Sequence, residues 1–154
     1  MTAKSSRAYK LKLSDDGIAL FLNCHGRICL LVRDLLPYGT TLHVSVGALT
    51  CLSTDDLVAE ASASDLIHYG GREVRFVGTS TRLATTMSAL IARIVASKKL
   101  HPVPQNWKLF LAALRVLQAT DDKLIVRLYD ELCEQDPGMK PRRLDPTDLT
   151  ATSS

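Results

Sequence analysis

Residues 72–118 read REVRFVGTSTRLATTMSALIARIVASKKLHPVPQNWKLFLAALRVLQ, and the fold turns on how this stretch is divided. Glu73 to Val77 alternates Val74 and Phe76 against Glu73 and Arg75, the period of a half-buried strand. The hydroxyl-rich Gly78-Thr79-Ser80-Thr81 then leads into a helix from about Arg82 to Lys99, where Leu83, Met87, Leu90, Ile91, Ile94 and Val95 keep helical spacing. The linker His101-Pro102-Val103-Pro104 separates it from Gln105 to Gln118, which is apolar almost all round, as in a helix buried on several sides or docked on another subunit. Eight Lys/Arg stand against one acid, Glu73, so the core and the positive field come from one segment.

Upstream, Tyr9, Leu11 and Leu13 alternate with Lys10 and Lys12, which predicts a strand over Ala8 to Leu13. Ser14-Asp15-Asp16-Gly17 reads as a hairpin turn, because Asp-Gly readily takes positive backbone dihedrals. Ile18 to Asn23, the apolar run Arg27 to Arg33, and Leu42 to Thr50 read as three further strands, the last with Leu42, Val44 and Val46 on one face. At Ser53 the period changes to that of a helix, with Asp56 completing a capping-box-like start and Gly70-Gly71 a stop. Downstream, Thr120, Asp121 and Asp122 open a last helix, whose inner stripe is Leu124, Ile125, Leu128, Leu132 and Cys133. The expected fold is α+β: an antiparallel sheet of four to five strands with one inserted helix, followed by a helical C-terminal half. Residues 1–7 read as a mobile basic arm, 8–138 as a single domain, and 139–154 as a flexible polar tail.

The chain's 154 residues, 46% hydrophobic and 23% charged, suffice for one real core. Its net charge of +3 hides a segregation: residues 1–12 carry +4, 13–71 carry −5, 72–118 carry +7 and 119–136 carry −4. Such blocks suit an anionic partner or head-to-tail contact between copies, while solvation of helix faces is the plain alternative. The cysteines (Cys24, Cys29, Cys51, Cys133) show no repeating spacing, which suits thiols in a reducing intracellular compartment such as a host cytoplasm. No stretch has the length of a membrane span, and neither secretion nor insertion is expected.

The chemical motifs are weak. Gly78-Thr79-Ser80-Thr81 before a helix could hold a phosphate, but without a Gly-x-x-x-x-Gly-Lys-Ser/Thr pattern it reads as plain helix capping. Cys24, His25 and Cys29, with His43 or Cys51, have metal-ligand chemistry, yet on strands Cys24 and Cys29 would point to opposite faces. Cys24 with His25, and Ser45 with His43, are the neighbouring nucleophile and base candidates, and neither pair reaches hydrogen-bond distance on a strand. His68-Tyr69 reads as a helix C-terminal pair, and Lys140-Pro141-Arg142-Arg143 as a short nuclear-import-like cluster. No catalytic residues, metal, cofactor or small-molecule substrate are expected. The candidate anion-binding set is Lys4, Arg7, Lys10, Lys12, Arg82, Arg93, Lys98 and Lys99, with Trp107 and Phe110 as candidates for self-association.

The order of strand (Leu42 to Thr50), capped helix (Ser53 to Tyr69), glycine turn, and Phe76-Val77-Gly78-Thr79-Ser80-Thr81-Arg82-Leu83-Ala84-Thr85 resembles the central segment of rhabdovirus matrix proteins, over about a quarter of the chain. The resemblance implies a small α+β viral structural protein that condenses a nucleocapsid and binds the inner face of a lipid envelope through basic residues, with Lys4 to Lys12 as the membrane-touching arm. The helices over Arg82 to Gln118 depart from that family, no Pro-Pro-x-Tyr or Pro-Thr/Ser-Ala-Pro motif is present, and Tyr129-x-x-Leu132 places Leu132 on an inner stripe. The functional expectation is a non-enzymatic, virion-type matrix protein that forms homo-oligomers and bridges an anionic membrane surface and a ribonucleoprotein. An RNA-binding or protein-binding accessory protein, viral or cellular, is the alternative, and a small enzyme the third reading.

Overall fold

The computed structural model describes residues 6–136. Two strands and six α-helices follow in the order β1 (Ser6–Leu13), α1 (Asp15–Val32), α2 (Tyr38–Thr50), α3 (Thr54–Ala61), a 3-10 turn (Ser64–His68), β2 (Glu73–Ser80), α4 (Thr81–Ser97), α5 (Asn106–Gln118) and α6 (Asp122–Gln135). Among the described residues the sheet has two antiparallel strands, running from Ser6 opposite Ser80 to Leu13 opposite Glu73. The expected sheet of four to five strands is therefore wrong: Ile18 to Asn23 and Arg27 to Arg33 lie in one helix, and Leu42 to Thr50 is another.

The α1 error has a local cause. Ser14-Asp15-Asp16-Gly17 is a helix start, in which the Gly17 amide donates to Ser14 Oγ at 3.1 Å and two acids sit in the first turn against the dipole. Gly17, Leu20, Phe21, Cys24, Ile28 and Val32 then form one buried helical stripe, ended by Arg33 in the left-handed conformation. Ser14 also ties the strand's end to the middle of the chain. Its amide donates to the Tyr69 carbonyl at 2.9 Å and its hydroxyl to that of His68 at 2.8 Å. Gly17 allows the approach, since a Cβ there would lie 2.1 Å from the Tyr69 oxygen.

Helix α2 is buried on every side, from Gly39 to Val46 and again at Ala48 and Leu49. A helix with no wet face has no helical period to read, and five residues of chance alternation supplied a strand-like one. It lies against α5, β2, α4 and α6. The helix expected over Ser53 to Tyr69 is two pieces, capped as anticipated by Ser53, whose Oγ accepts from the Asp56 amide at 3.2 Å. Helices α4 and α6 fall where their periods place them, and α5 where the apolar run after the Pro102 to Pro104 linker places it. The centre of α5, Leu109 to Leu114, is wholly buried, and Tyr9, Leu11 and Leu13 of β1 close the core beside it. Of the expected mobile arm, Ser6 and Arg7 belong to β1; its first five residues and the tail, with Lys140 to Arg143, lie outside the described residues.

Candidate anionic-surface interface

A two-stranded ribbon has two faces, and the helices cover one. Residues directly opposite in an antiparallel pair share a face, so Tyr9 with Val77 points inward, and Lys10 with Phe76 and Lys12 with Val74 point outward. Tyr9 and Val77 are buried, Phe76 is 70% exposed and Val74 is 37% exposed. The outward face thus carries an exposed aromatic ring and a valine beside two lysines. Arg7 is exposed on β1, its guanidinium 5.2 Å from the Tyr9 ring centre, and the Arg7 carbonyl accepts from the Thr79 hydroxyl at 3.1 Å. Arg82 is exposed two residues past the ribbon's end, and Arg72 is exposed just before its other end. Among the described residues, Arg7, Lys10, Lys12, Arg72 and Arg82 form no ion pair.

The sequence-derived basic set separates into two regions. Arg7, Lys10, Lys12 and Arg82 gather at the ribbon, whereas Lys98 and Lys99 lie at the far end of α4, about 25 Å along its axis from Arg82. Lys99 pairs with Asp55. Arg93 is engaged within the fold: its guanidinium donates to the Thr50 carbonyl at 2.9 Å and the Leu52 carbonyl at 2.8 Å, at the C-terminal end of α2. Lys4 lies outside the described residues. Arg93→Ala is expected to destabilise the fold by about 1–3 kcal/mol, since two carbonyls lose their donor, while leaving surface binding unchanged. Urea denaturation beside a vesicle assay checks both halves.

Of the self-association candidates, Phe110 is internal and Trp107 lies at the edge of the core. Phe110 is fully buried, its ring 4.9 Å from Tyr9 in an edge-on contact, and offers nothing to a second copy. Trp107 is half-buried, its indole N–H donating to Gln105 Oε1 at 2.6 Å and its ring seated on Gly70, where a Cβ would come within 2.6 Å.

Helical rather than extended backbone rearranges the candidate chemical groups. Cys24 is buried, donates to the Leu114 carbonyl at 3.3 Å, and is pushed up to about 11 by burial against a smaller opposing pull from Arg27, so it packs as a neutral thiol. The group beside His25 is Cys29, one helical turn on, with Sγ 3.6 Å from Nε2. Thr41 Oγ1 lies 2.7 Å from His25 Nδ1, Phe21 stacks on the ring, Tyr38 meets it edge-on, and burial lowers the imidazole's pKa. This arrangement locks α1 to α2. His43 and Ser45, expected on one face, are two residues apart on a helix and so diverge, and the Ser45 hydroxyl donates to the Thr41 carbonyl at 2.7 Å. His68 pairs with Asp16 at 2.8 Å. Ser80 takes the N-cap position of α4 but makes no side-chain cap bond. Among the described residues, no group of three or more His, Cys, Asp or Glu is placed to hold a metal ion, and no helix is long and apolar enough to cross a membrane.

Sequence reasoning set Val74 and Phe76 against Glu73 and Arg75 on a half-buried strand and did not single them out as surface residues. The available signal was Val77 and Thr79, which continue the strand with the opposite phase and are the residues buried. No family model, curated protein or solved structure matches the chain. Of the elements expected over Leu42 to Thr85, the strand Leu42 to Thr50 is a helix, and the turn expected at Gly78 to Thr81 is absent: Gly78, Thr79 and Ser80 extend β2, and α4 starts directly at Thr81.

Proposed function

We propose that the protein is a non-enzymatic, matrix-like assembly protein that lies on an anionic membrane surface through the outward face of its β-ribbon. The observation that carries this reading is Phe76, 70% exposed and directly opposite Lys10, with Val74 and Lys12 as the next pair. Single exposed apolar side chains are ordinary, but Phe76 and Val74 lie side by side on one strand face, and contiguous apolar surface rimmed by charge marks a place of contact. An aromatic and a valine rimmed by lysines suit the headgroup boundary, where rings enter the acyl edge and ammonium groups meet lipid phosphates. A reducing, intracellular setting belongs to the same reading and rests on the lack of repeating spacing among the cysteines. Bridging to a nucleocapsid rests on the resemblance over Phe76 to Thr85 alone, and assembly of copies on the surface belongs to the same reading.

Co-sedimentation with phosphatidylserine-containing and neutral vesicles, across a salt series and with single-stranded RNA as competitor, tests it. The expected result is pelleting with anionic vesicles only, falling steeply as salt screens lysines worth about 1 kcal/mol each, with RNA unable to displace the protein. Phe76→Ser is expected to weaken binding at every salt concentration, because its contribution is apolar. A flat salt response would remove the electrostatic mechanism. Displacement by RNA would move the function to single-strand binding, in which Phe76 is a stacking platform.

A further inference from the structure

Helix α1 has an apolar stripe on the side turned away from the core. Asp15, Ala19, Leu22, Gly26 and Leu30 span an arc of only about 80° at 3.6 residues per turn, opposite the buried stripe centred on Cys24, and the left-handed capping residue Arg33 follows at the helix's C-terminal end. Leu22 is 49% and Leu30 80% exposed, and Asp15, Ala19 and Arg33 are exposed as well. Over Gly26 there is open space: a Cβ built there meets nothing within 4 Å. A depression of about 500 Å³ runs beside it, bordered by Leu22, Arg27, Leu30 and Leu31.

The stripe is complementary to itself read backwards. Turned end over end about a point between Leu22 and Gly26, it sets Leu22 of one copy over Gly26 of the other, Leu30 against Ala19, and Asp15 against Arg33. Each large residue meets a small one and each acid a base, twice over, as a two-fold contact requires. Among the described residues, neither Asp15 nor Arg33 has an ion pair within its own chain. From this charge and size complementarity we infer that the outer face of α1 is a self-association surface, on which a second copy packs antiparallel. It deepens the assembly half of the proposed function and owes nothing to the lipid half. One pair of 18-residue helices buries less than the roughly 800 Å² per partner of a standard interface, so the contact is a weak dimer, of the strength that forms when copies are concentrated on a surface.

Sedimentation velocity without lipid, from about 1 µM to about 1 mM protein, tests the inference separately from vesicle binding. The parent chain is expected to move from monomer to dimer mass with concentration. Gly26→Leu puts a side chain where a Cβ meets nothing within 4 Å and replaces a poor helix former, so it is expected to keep or raise the melting temperature while holding the protein monomeric throughout. Leu22→Lys, at an already exposed position, is expected to do the same. Asp15→Arg and Arg33→Asp should each dimerise more weakly alone and regain dimer when mixed, because the mixed pair restores both charge contacts. A parent chain that stays monomeric overturns the inference, as does a dimer indifferent to both Gly26→Leu and Leu22→Lys. Loss of vesicle binding with the dimer intact would leave α1's role standing and remove only the ribbon's.

Discussion

Phe110→Ala is expected to lower the unfolding free energy by about 3–5 kcal/mol. The side chain is fully buried in α5, between neighbours from Leu109 to Leu114 that are themselves wholly buried, so the surroundings have little freedom to collapse into the space. Its ring also meets Tyr9 edge-on at 4.9 Å, which couples the central helix to the inner face of the ribbon. Such a contact contributes about 0.5–1.5 kcal/mol beyond burial, and a double-mutant cycle with Tyr9→Leu is expected to recover that amount. Equilibrium denaturation in urea reads both numbers. A loss below about 1 kcal/mol would mean that Phe110 is not in the core, and would reopen its role in contacts between copies.

The second large effect is loss of stability in acid. His43 is nearly buried in α2, and its imidazole is pushed down to about 4 by burial and the nearby Arg82 guanidinium, with Asp136 pulling the other way. Above the ordinary histidine value of about 6.5 the ring is neutral in folded and unfolded chains alike and the pH does not matter. Below it the unfolded chain takes up a proton that the folded chain refuses, so stability is lost progressively as pH falls toward 4, by about 3 kcal/mol in all. His25, also lowered by burial, acts in the same direction. Denaturation at pH 7 and pH 4.5 is expected to show the drop in the parent chain and a clearly smaller one in His43→Gln. Equal drops in the two would place the acid sensitivity elsewhere.

How much of this was legible varied with how each element meets water. Helices α4 and α6 carry one wet and one dry face, so their periods placed them, and β1 was placed by Tyr9, Leu11 and Leu13 for the same reason. Helix α2 has no wet face and lost its signal, while the outward face of α1 carries Leu22 and Leu30 and so blurred the period that the buried stripe would have shown. Ser14-Asp15-Asp16-Gly17 is ambiguous by chemistry, since the groups that favour a tight turn also cap a helix. The basic half of the candidate interface was legible as a list of charges. Its geometry was not: Lys10 and Phe76 are 66 positions apart in sequence and meet only through strand pairing, and Arg93 could not be recognised as a donor to α2 without knowing that α2 ends beside it.

The central claim is that the ribbon, and not the far end of α4, meets an anionic surface. Two charge-reversed proteins compared on the same phosphatidylserine vesicles decide it. Lys10→Glu with Lys12→Glu is expected to lower affinity at least about thirtyfold, from about 1 kcal/mol for each lysine lost and a repulsive charge in its place. Lys98→Glu with Lys99→Glu, an equal change in net charge, is expected to cost far less. Equal losses in the two would show that only net charge matters, and a larger loss from the α4 pair would place the interface at the other end of the molecule.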